Sequence, residues 1–358
     1  MSLLSAAVAA SMLSASRSRV ASAFKTCCLA GHAEDLHAVL DRCGIPEDVR
    51  HALVAQARAR AENAFADAAG LGMEPIALTD ERYPALLACV ADPPPALWVR
   101  GDATLINRPT IAIVGSRAAT PYAVDVAGRL AAELADRGLL VASGLARGVD
   151  SAAHRGCLEA GGLTVAVLGS GLDRIYPPEH GALAVNISRQ GALLSELGPG
   201  AAPLSEHFPL RNRIISGISL AVIVVEASEK SGSLITARCA LEQGRDVMAV
   251  PGNVLSGRNR GSHSLLKDGA KVVETADDIL EELGWPVAGY PLPVAAKSLN
   301  SDPLLARMDE GETYRLDELV ELTGWTAPKL LPRLLELELA GAVSTVGGGR
   351  FSRSVRPK

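Results

Sequence analysis

Six near-continuous apolar runs, separated by stretches of helical periodicity, dominate the middle of the chain. They occupy residues 110–117, 139–147, 163–171, 192–196, 220–226 and 246–252. Runs of Val, Ile, Leu and Ala without polar alternation read as strands buried on both faces. With helices between them they predict an α/β fold, a parallel sheet covered on each side. Most of the runs end in a loop that joins glycine to a hydroxyl or an arginine. Ligands of such sheets bind beyond the carboxyl ends of the strands. Gly, Ser, Arg and Lys at those ends point to an anionic, phosphate-bearing ligand.

Either side of this region the pattern changes. Residues 1–70 are alanine-rich with helical spacing, notably over 35–43 and 47–70, and predict a small N-terminal helical domain. Residues 2–24 lack acidic residues and carry Arg17 and Arg19. A transit peptide and a plain helix share that composition; the helix is the expectation, and the missing basic stretch argues against a secretory signal. Residues 71–100 lead into the sheet, stiffened at Pro93, Pro94 and Pro95, which cannot continue a helix. The sheet domain is expected to span 71–285, followed by a Pro/Gly/Ser-bearing linker over 286–301. In residues 302–358 we expect a helix near 302–308, a second over 316–323, a turn at Gly324, a third over 326–340 and a hairpin over 343–353. Thr326 suits the N-cap of that third helix, and Pro328 sits in its first turn without costing a hydrogen bond. The order predicts a winged helix.

Composition narrows the chemistry. The 358 residues are 48% hydrophobic but only 3% aromatic, so the core is aliphatic and any base-stacking platform is small. A net charge of −5 argues against coating a polyanion with the whole surface. Positive charge collects within 204–271, at Arg211, Arg213, Lys230, Arg238, Arg245, Arg258, Arg260, Lys267 and Lys271, whereas 272–310 is strongly acidic. The 6 cysteines form no C-x-x-C pair and no zinc spacing. They predict reduced thiols in a cytoplasmic protein, with no metal and no cofactor. No apolar run approaches the roughly 20 residues that span a bilayer.

The strand ends carry the candidate site. Gly115, Ser116 and Arg117 precede a helix expected over 121–137, whose N-terminus attracts phosphate. Arg117 adds a fork suited to a phosphodiester. Ala118 and Ala119 stand where the glycines of G-x-G-x-x-G would be, so the dinucleotide fingerprint is absent. After the second run, Gly144 and Gly148 allow close backbone approach and Arg147 adds a second cation. Asp150 and His154 lie four apart on the next helix and can face each other. They read as an acid–base pair or as a structural hydrogen bond that orients the loop. The second reading is favoured because no nucleophile lies nearby in sequence.

The segment 208–217 is the most loaded. Arg211 and Arg213 flank Asn212 for phosphate and base-edge contacts, and Phe208 stands upstream to stack a base. The alternative is a helix start with solvated arginines and a core Phe. Lys230, Ser231, Gly232, Ser233 and Thr236 form another anion-receiving helix start. The G-x-x-x-x-G-K-[ST] spacing is absent, which removes the usual argument for ATP hydrolysis. A basic, glycine-rich loop over 256–267 ends at Lys267. Several such loops at one sheet edge, with no catalytic triad, point to binding rather than turnover.

This set of motifs, in this order, resembles the DNA-processing protein A (DprA/Smf) family. The matching residues are Tyr83-Pro84, Asp92 to Pro94, Ile113 to Arg117, and Ser143 to Ala146 with Gly148, Asp150 and His154. Further along they are Tyr176-Pro177, Ser195-Glu196, Phe208-Pro209, Arg211 to Ile215, Val225 to Ala227, Ser231 to Thr236, Gln243 to Arg245 and Ala249 to Gly252. The resemblance implies an extended Rossmann-like domain that binds single-stranded DNA, dimerises and helps load the RecA recombinase in natural transformation, with no catalytic step. It also implies a basic pocket of Arg117, Arg211, Arg213 and Lys230, and a winged helix as the C-terminal extension.

The chain departs from the family at Ala123, where glycine commonly follows the tyrosine, and at His263, where asparagine is usual. The third helix of the winged unit carries Lys329 and Arg333 but also Glu336 and Glu338, a mixture that suits partner or self contact at least as well as groove reading. Two other functions would use similar loops. A nucleotide hydrolase, which frees the base of a nucleoside monophosphate, needs a Pro-Gly-Gly-x-Gly-Thr segment and a following carboxylate. Ser231 to Thr236 stands in that place without the carboxylate. A nucleotide sensor is the third reading.

Overall fold

The computed structural model describes residues 2–285, 304–309, 313–326, 330, 333–334, 337, 343–346 and 350–353. They fall in two compact units, Met1–Ala288 and Gly289–Lys358. The expected linker over 286–301 and most of the helix expected over 326–340, with Lys329, Glu336 and Glu338, lie outside the described residues.

All six apolar runs form strands. In chain order the first unit contains β1 (Glu74–Ala77), β2 (Ala96–Gly101), β3 (Thr110–Gly115), β4 (Leu140–Ser143) and β5 (Thr164–Leu168). β6 (Ala192–Ser195), β7 (Ala221–Val225), β8 (Asp246–Ala249) and β9 (Lys271–Val272) complete it. They make one sheet in the order β1-β2-β6-β5-β4-β3-β7-β8-β9. The strands from β3 to β9 are parallel, whereas β1 and β2 form an antiparallel edge. From β3 the chain winds outward through β4, β5 and β6, then returns to the other side of β3 as β7. The strand order therefore reverses between β3 and β7, which opens a crevice at their carboxyl ends.

The helices fill both faces and the N-terminal side. They are α1 (Leu3–Ser11), α2 (Arg17–Leu29), α3 (Leu36–Arg42), α4 (Glu47–Leu71), α5 (Ala85–Ala88) and α6 (Pro121–Asp136). α7 (Val149–Glu159), α8 (Gly181–Gln190), α9 (His207–Gly217), α10 (Ser233–Glu242), α11 (Arg260–Lys267) and α12 (Ala276–Glu282) follow. Alternate strand residues serve opposite layers, as the pleat requires. Ile111, Ile113 and Ile223 pack with Ala127, Leu130 and Leu134 of α6. Ala112, Val114, Val222 and Val224 pack with Ile214 and Ile215 of α9 and with Ala237 and Ala240 of α10. Both faces being buried is why the strands read as continuous apolar runs.

The N-terminal opening is two helices, α1 and α2. Ala6 to Ala10 of α1 are buried, and α4 presents Val54, Ala57, Ala61, Ala64 and Ala68 at three- and four-residue spacing. Ala7 to Ala10 and these α4 residues pack in one cluster with Trp98, Leu168, Ile187 and Leu193, so this segment and the sheet share a core. Among the described residues no helix is long and apolar enough to cross a membrane.

In the second unit β10 (Thr313–Arg315), α13 (Leu316–Thr323), β11 (Val343–Val346) and β12 (Arg350–Arg353) pack around Leu304, Leu305, Leu319, Leu334 and Val343. The expected hairpin is present as β11 and β12, and β10 joins its β12 edge. Gly324 ends α13 with φ 70°, in the left-handed region that glycine enters at no steric cost. Of the helix expected near 302–308, the described residues contain a 3-10 turn at Leu305–Arg307.

Candidate nucleic-acid interface

A cleft of about 620 Å³ opens at the carboxyl ends of β3 and β7. The loop after β3 contributes Gly115, Ser116 and Arg117, and the first turn of α7 contributes Asp150. Phe208, Arg211 and Asn212 come from α9, and Ser231, Gly232, Ser233 and Thr236 from the turn into α10. A smaller lobe beside it is lined by Gly144, Arg147 and Tyr176 together with Arg117, Phe208 and Arg211. The fold thus gathers twelve of the expected site residues in one place: Gly115, Ser116, Arg117, Gly144, Arg147, Phe208, Arg211, Asn212, Ser231, Gly232, Ser233 and Thr236.

Arg211 is the electrostatic centre. Its side chain is buried, and Nη1 donates to the Gly144 carbonyl at 2.7 Å and to the Val167 carbonyl. Its Nε has no partner among the described residues. Burial pushes its pKa down to about 10; Asp150 opposes that fall and Arg117 adds to it. The guanidinium therefore stays charged at neutral pH, with a neighbouring cation that an anion between them would offset. Gly144 is required here, because a Cβ would lie 2.6 Å from the guanidinium.

Asp150 holds the loop that receives Arg211. Its Oδ2 accepts the N–H groups of Gly144 at 3.1 Å and Ala146 at 3.4 Å. Burial raises its pKa, and Arg211 is the largest opposing influence. His154 instead places Nδ1 2.7 Å from the Thr164 hydroxyl, and its Nε2 is unpartnered. Burial, with His180, Arg211 and Arg155 adding to it, drives its pKa to about 3. The two residues form no acid–base pair; Asp150 orients the loop and His154 is a neutral core group.

Arg117 departs from the helix-start reading. Thr120, not Gly115, caps α6, and the Glu226 carboxylate accepts its N–H at 3.1 Å and its hydroxyl at 2.5 Å. That helix N-terminus is already answered by an internal anion, so Arg117 offers its guanidinium from the loop. Its Cζ lies 5.5 Å from the centre of the Phe208 ring, whose own centroid is 5.4 Å from that of Tyr176. Glu226 takes φ 51°, a left-handed conformation rare for a residue with a Cβ, at the switch point itself.

The turn into α10 answers its own first N–H groups: Ser231 Oγ accepts that of Ser233 at 3.4 Å, and the Ser231 and Gly232 carbonyls accept those of Leu234 and Ile235 at 3.1 Å each, so it offers hydroxyls to a ligand. Gly232 caps it without a side-chain bond, and the hydroxyls of Ser231 and Ser233 lie 2.8 Å apart at the mouth. The Asn212 amide donates to the Gly232 carbonyl at 3.3 Å, so it fixes this turn to α9.

Three expected residues lie elsewhere. Residues two apart on a helix point about 200° apart, so Arg211 and Arg213 leave opposite sides of α9. Arg213 is buried, donates to both Glu196 oxygens at 2.7 and 2.8 Å, and faces Asp92 at 3.4 Å. That ion triad is structural. Lys230 is exposed on the turn but outside the lining, and Lys267 lines a separate groove of about 680 Å³ with Glu229 and Arg260. Tyr176, Ser205 and Ser228 line the two lobes without having been singled out as contacts. Tyr176 had a legible signal, its place in the Tyr176-Pro177 motif.

Comparison with known proteins fits this geometry. The family profile described as DNA recombination-mediator protein A matches residues 74–284, and a DprA winged helix domain matches residues 290–349. Protein Smf of Escherichia coli (strain K12) is 43% identical over 282 residues, which cover 75% of this chain and 74% of Smf. DNA processing protein DprA of Bacillus subtilis (strain 168) is 44% identical over 213 residues, covering 59% of this chain and 72% of that protein. The X-ray structure of DprA from Streptococcus pneumoniae superposes with a TM-score of 0.68 at 34% identity, over 76% of this chain and 95% of that one. DprA from Helicobacter pylori, whose structure is described as showing its single-stranded DNA binding mode, gives a TM-score of 0.54 at 30% identity. It covers 59% of this chain and 95% of its own. Sheet order, ordered motifs and these matches agree: the chain belongs to the DNA-processing protein A (DprA/Smf) family.

Proposed function

We propose that this protein binds single-stranded DNA across the switch-point cleft, protects it and passes it to the RecA recombinase during natural transformation. It does so as a cytoplasmic homodimer, with no catalytic step of its own. The observation that carries this reading is the convergence of buried Arg211 and exposed Arg117 with the serine hydroxyls of the turn into α10, beside the Phe208–Tyr176 pair. Arg117, Arg211 and the Ser231 to Ser233 turn take phosphate oxygens; Lys230 and Arg147 lie on the approach. Phe208 and Tyr176 receive a base face, which only an unpaired strand presents. The DNA binding described for the Helicobacter pylori relative supports the same choice of ligand.

Among the described residues Asp150 is the one carboxylate in the lining, and its Oδ2 is committed to the 144–146 loop. That leaves no general base and favours binding over hydrolysis. Fluorescence anisotropy with labelled oligo-dT and with a duplex of equal length tests the reading. Tighter binding of the single strand is expected, weakening as salt rises. Duplex preference, or release of adenine from AMP, would overturn it.

A further inference from the structure

The loop after β8 exposes Val254 by 73% and Leu255 by 92%, two large aliphatics side by side in water. The loop is nonetheless firmly built. Asn253 Oδ1 accepts the Leu255 N–H at 2.8 Å, and the Ser256 hydroxyl donates to the Asn253 carbonyl at 3.2 Å. Buried Asn259 donates to that same carbonyl at 3.4 Å, and His263 Nε2 lies 3.1 Å from the Gly252 carbonyl oxygen. Holding two apolar tips outward on a fixed loop is unfavourable unless something covers them.

The surroundings identify the occupant. Arg258 and Arg260 follow the tip, and both are exposed. Arg258 Nη1 donates to the Ala118 carbonyl at 2.8 Å, one residue from Arg117, so the tip stands on the same rim as the cleft. Arg260 faces Glu229 loosely at 3.9 Å and remains free to turn to a phosphate. An apolar tip beside cations and next to a single-strand cleft matches the end of a double helix, where a stacked base face meets two phosphate chains.

We propose that Val254 and Leu255 form a wedge that seats on the terminal base pair of a duplex whose single-stranded arm lies in the cleft, with Arg258 and Arg260 on the flanking phosphates. The proposal rests on the single-strand reading above. It makes a junction between duplex and single strand the preferred DNA, not a bare strand.

The test compares oligo-dT with the same oligo-dT attached to a short duplex that carries 2-aminopurine at its terminal pair. It uses the full chain and the V254S/L255S variant. Wild type is expected to bind the tailed duplex about tenfold more tightly than the bare strand, the scale of partly burying two aliphatic side chains on a base face, and to brighten the 2-aminopurine. The variant should lose both effects and keep its oligo-dT affinity. Equal wild-type affinities, or a variant that keeps the preference, overturns the wedge while the cleft reading stands. Absence of oligo-dT binding by wild type removes both. A variant that changes the oligomeric mass instead assigns the tip to a second copy and overturns the wedge.

Discussion

Replacing Arg117 by alanine isolates the phosphate-binding claim. The side chain is exposed, forms no ion pair among the described residues and lies over the Phe208 ring. Its loss should leave folding stability within about 0.5 kcal/mol of wild type. Binding should respond quite differently. One charge-assisted contact to a phosphate is worth roughly 1–3 kcal/mol, or about 5- to 150-fold in Kd. The salt dependence of log K should also fall by about 0.7, the single-strand value for one phosphate. Arg117→Lys keeps the charge but loses the fork and the stack on Phe208, so it should retain the slope and recover part of the affinity. Anisotropy titrations of labelled oligo-dT across a salt series read all of these quantities. If Arg117→Ala matched wild type in both affinity and slope, the proposed arrangement of the cleft would be refuted.

Phe208→Ala should weaken oligo-dT binding by roughly 1–3 kcal/mol through lost stacking, with the salt slope unchanged in the same titrations. Arg213→Ala leaves Glu196 and Asp92 buried without their cation, so urea denaturation should show a loss of about 3–5 kcal/mol, while the folded fraction binds oligo-dT as before. The pKa of His154 is about 3 when folded and close to 6.5 when unfolded, so the unfolded chain takes up the proton first. This contribution to stability is complete above pH 6.5 and falls as pH drops toward 3, by about 1.4 kcal/mol per unit. Urea midpoints between pH 7 and 4 should show that slope reduced in His154→Gln; an identical slope in both proteins removes the assignment.

The parallel sheet was legible because β3, β4, β5 and β7 are buried on both sides and so contain almost nothing but Val, Ile, Leu, Ala and Gly. The antiparallel edge was not. β1 is four residues of which one is a proline, and β2 follows three more prolines, signals that normally argue against strands. The cleft was legible where a residue's role follows from the loop that carries it, as at Arg117 and at Ser231 to Ser233. It was not legible at Arg213. Sequence adjacency to Arg211 suggested a shared ligand, but helical geometry turned the two guanidiniums apart. The carboxylate that neutralises Arg213 lies 17 residues away in Glu196. Nor could Glu226 be read as the anion that answers the N-terminus of α6, because it reaches Thr120 across 106 residues.

These internal pairings leave a chain of net charge −5 with a local cluster of cations for the proposed polyanion. Folding commits Arg213 to Glu196 and Asp92, and Arg245 to the Leu86 carbonyl. Arg117 and Arg211 remain turned into the cleft, with Lys230 exposed near it. Three phosphate contacts at about 0.7 each predict a slope of log K against log salt near −2 per chain, far shallower than that of a protein sheathed in lysine. The net negative charge of the chain repels further nucleotides, so the footprint should be short and the slope should stop growing once an oligonucleotide spans the cleft. A slope that keeps steepening with oligonucleotide length would mean that DNA tracks over surfaces other than this rim. The local partition of charge would then not be what confines it.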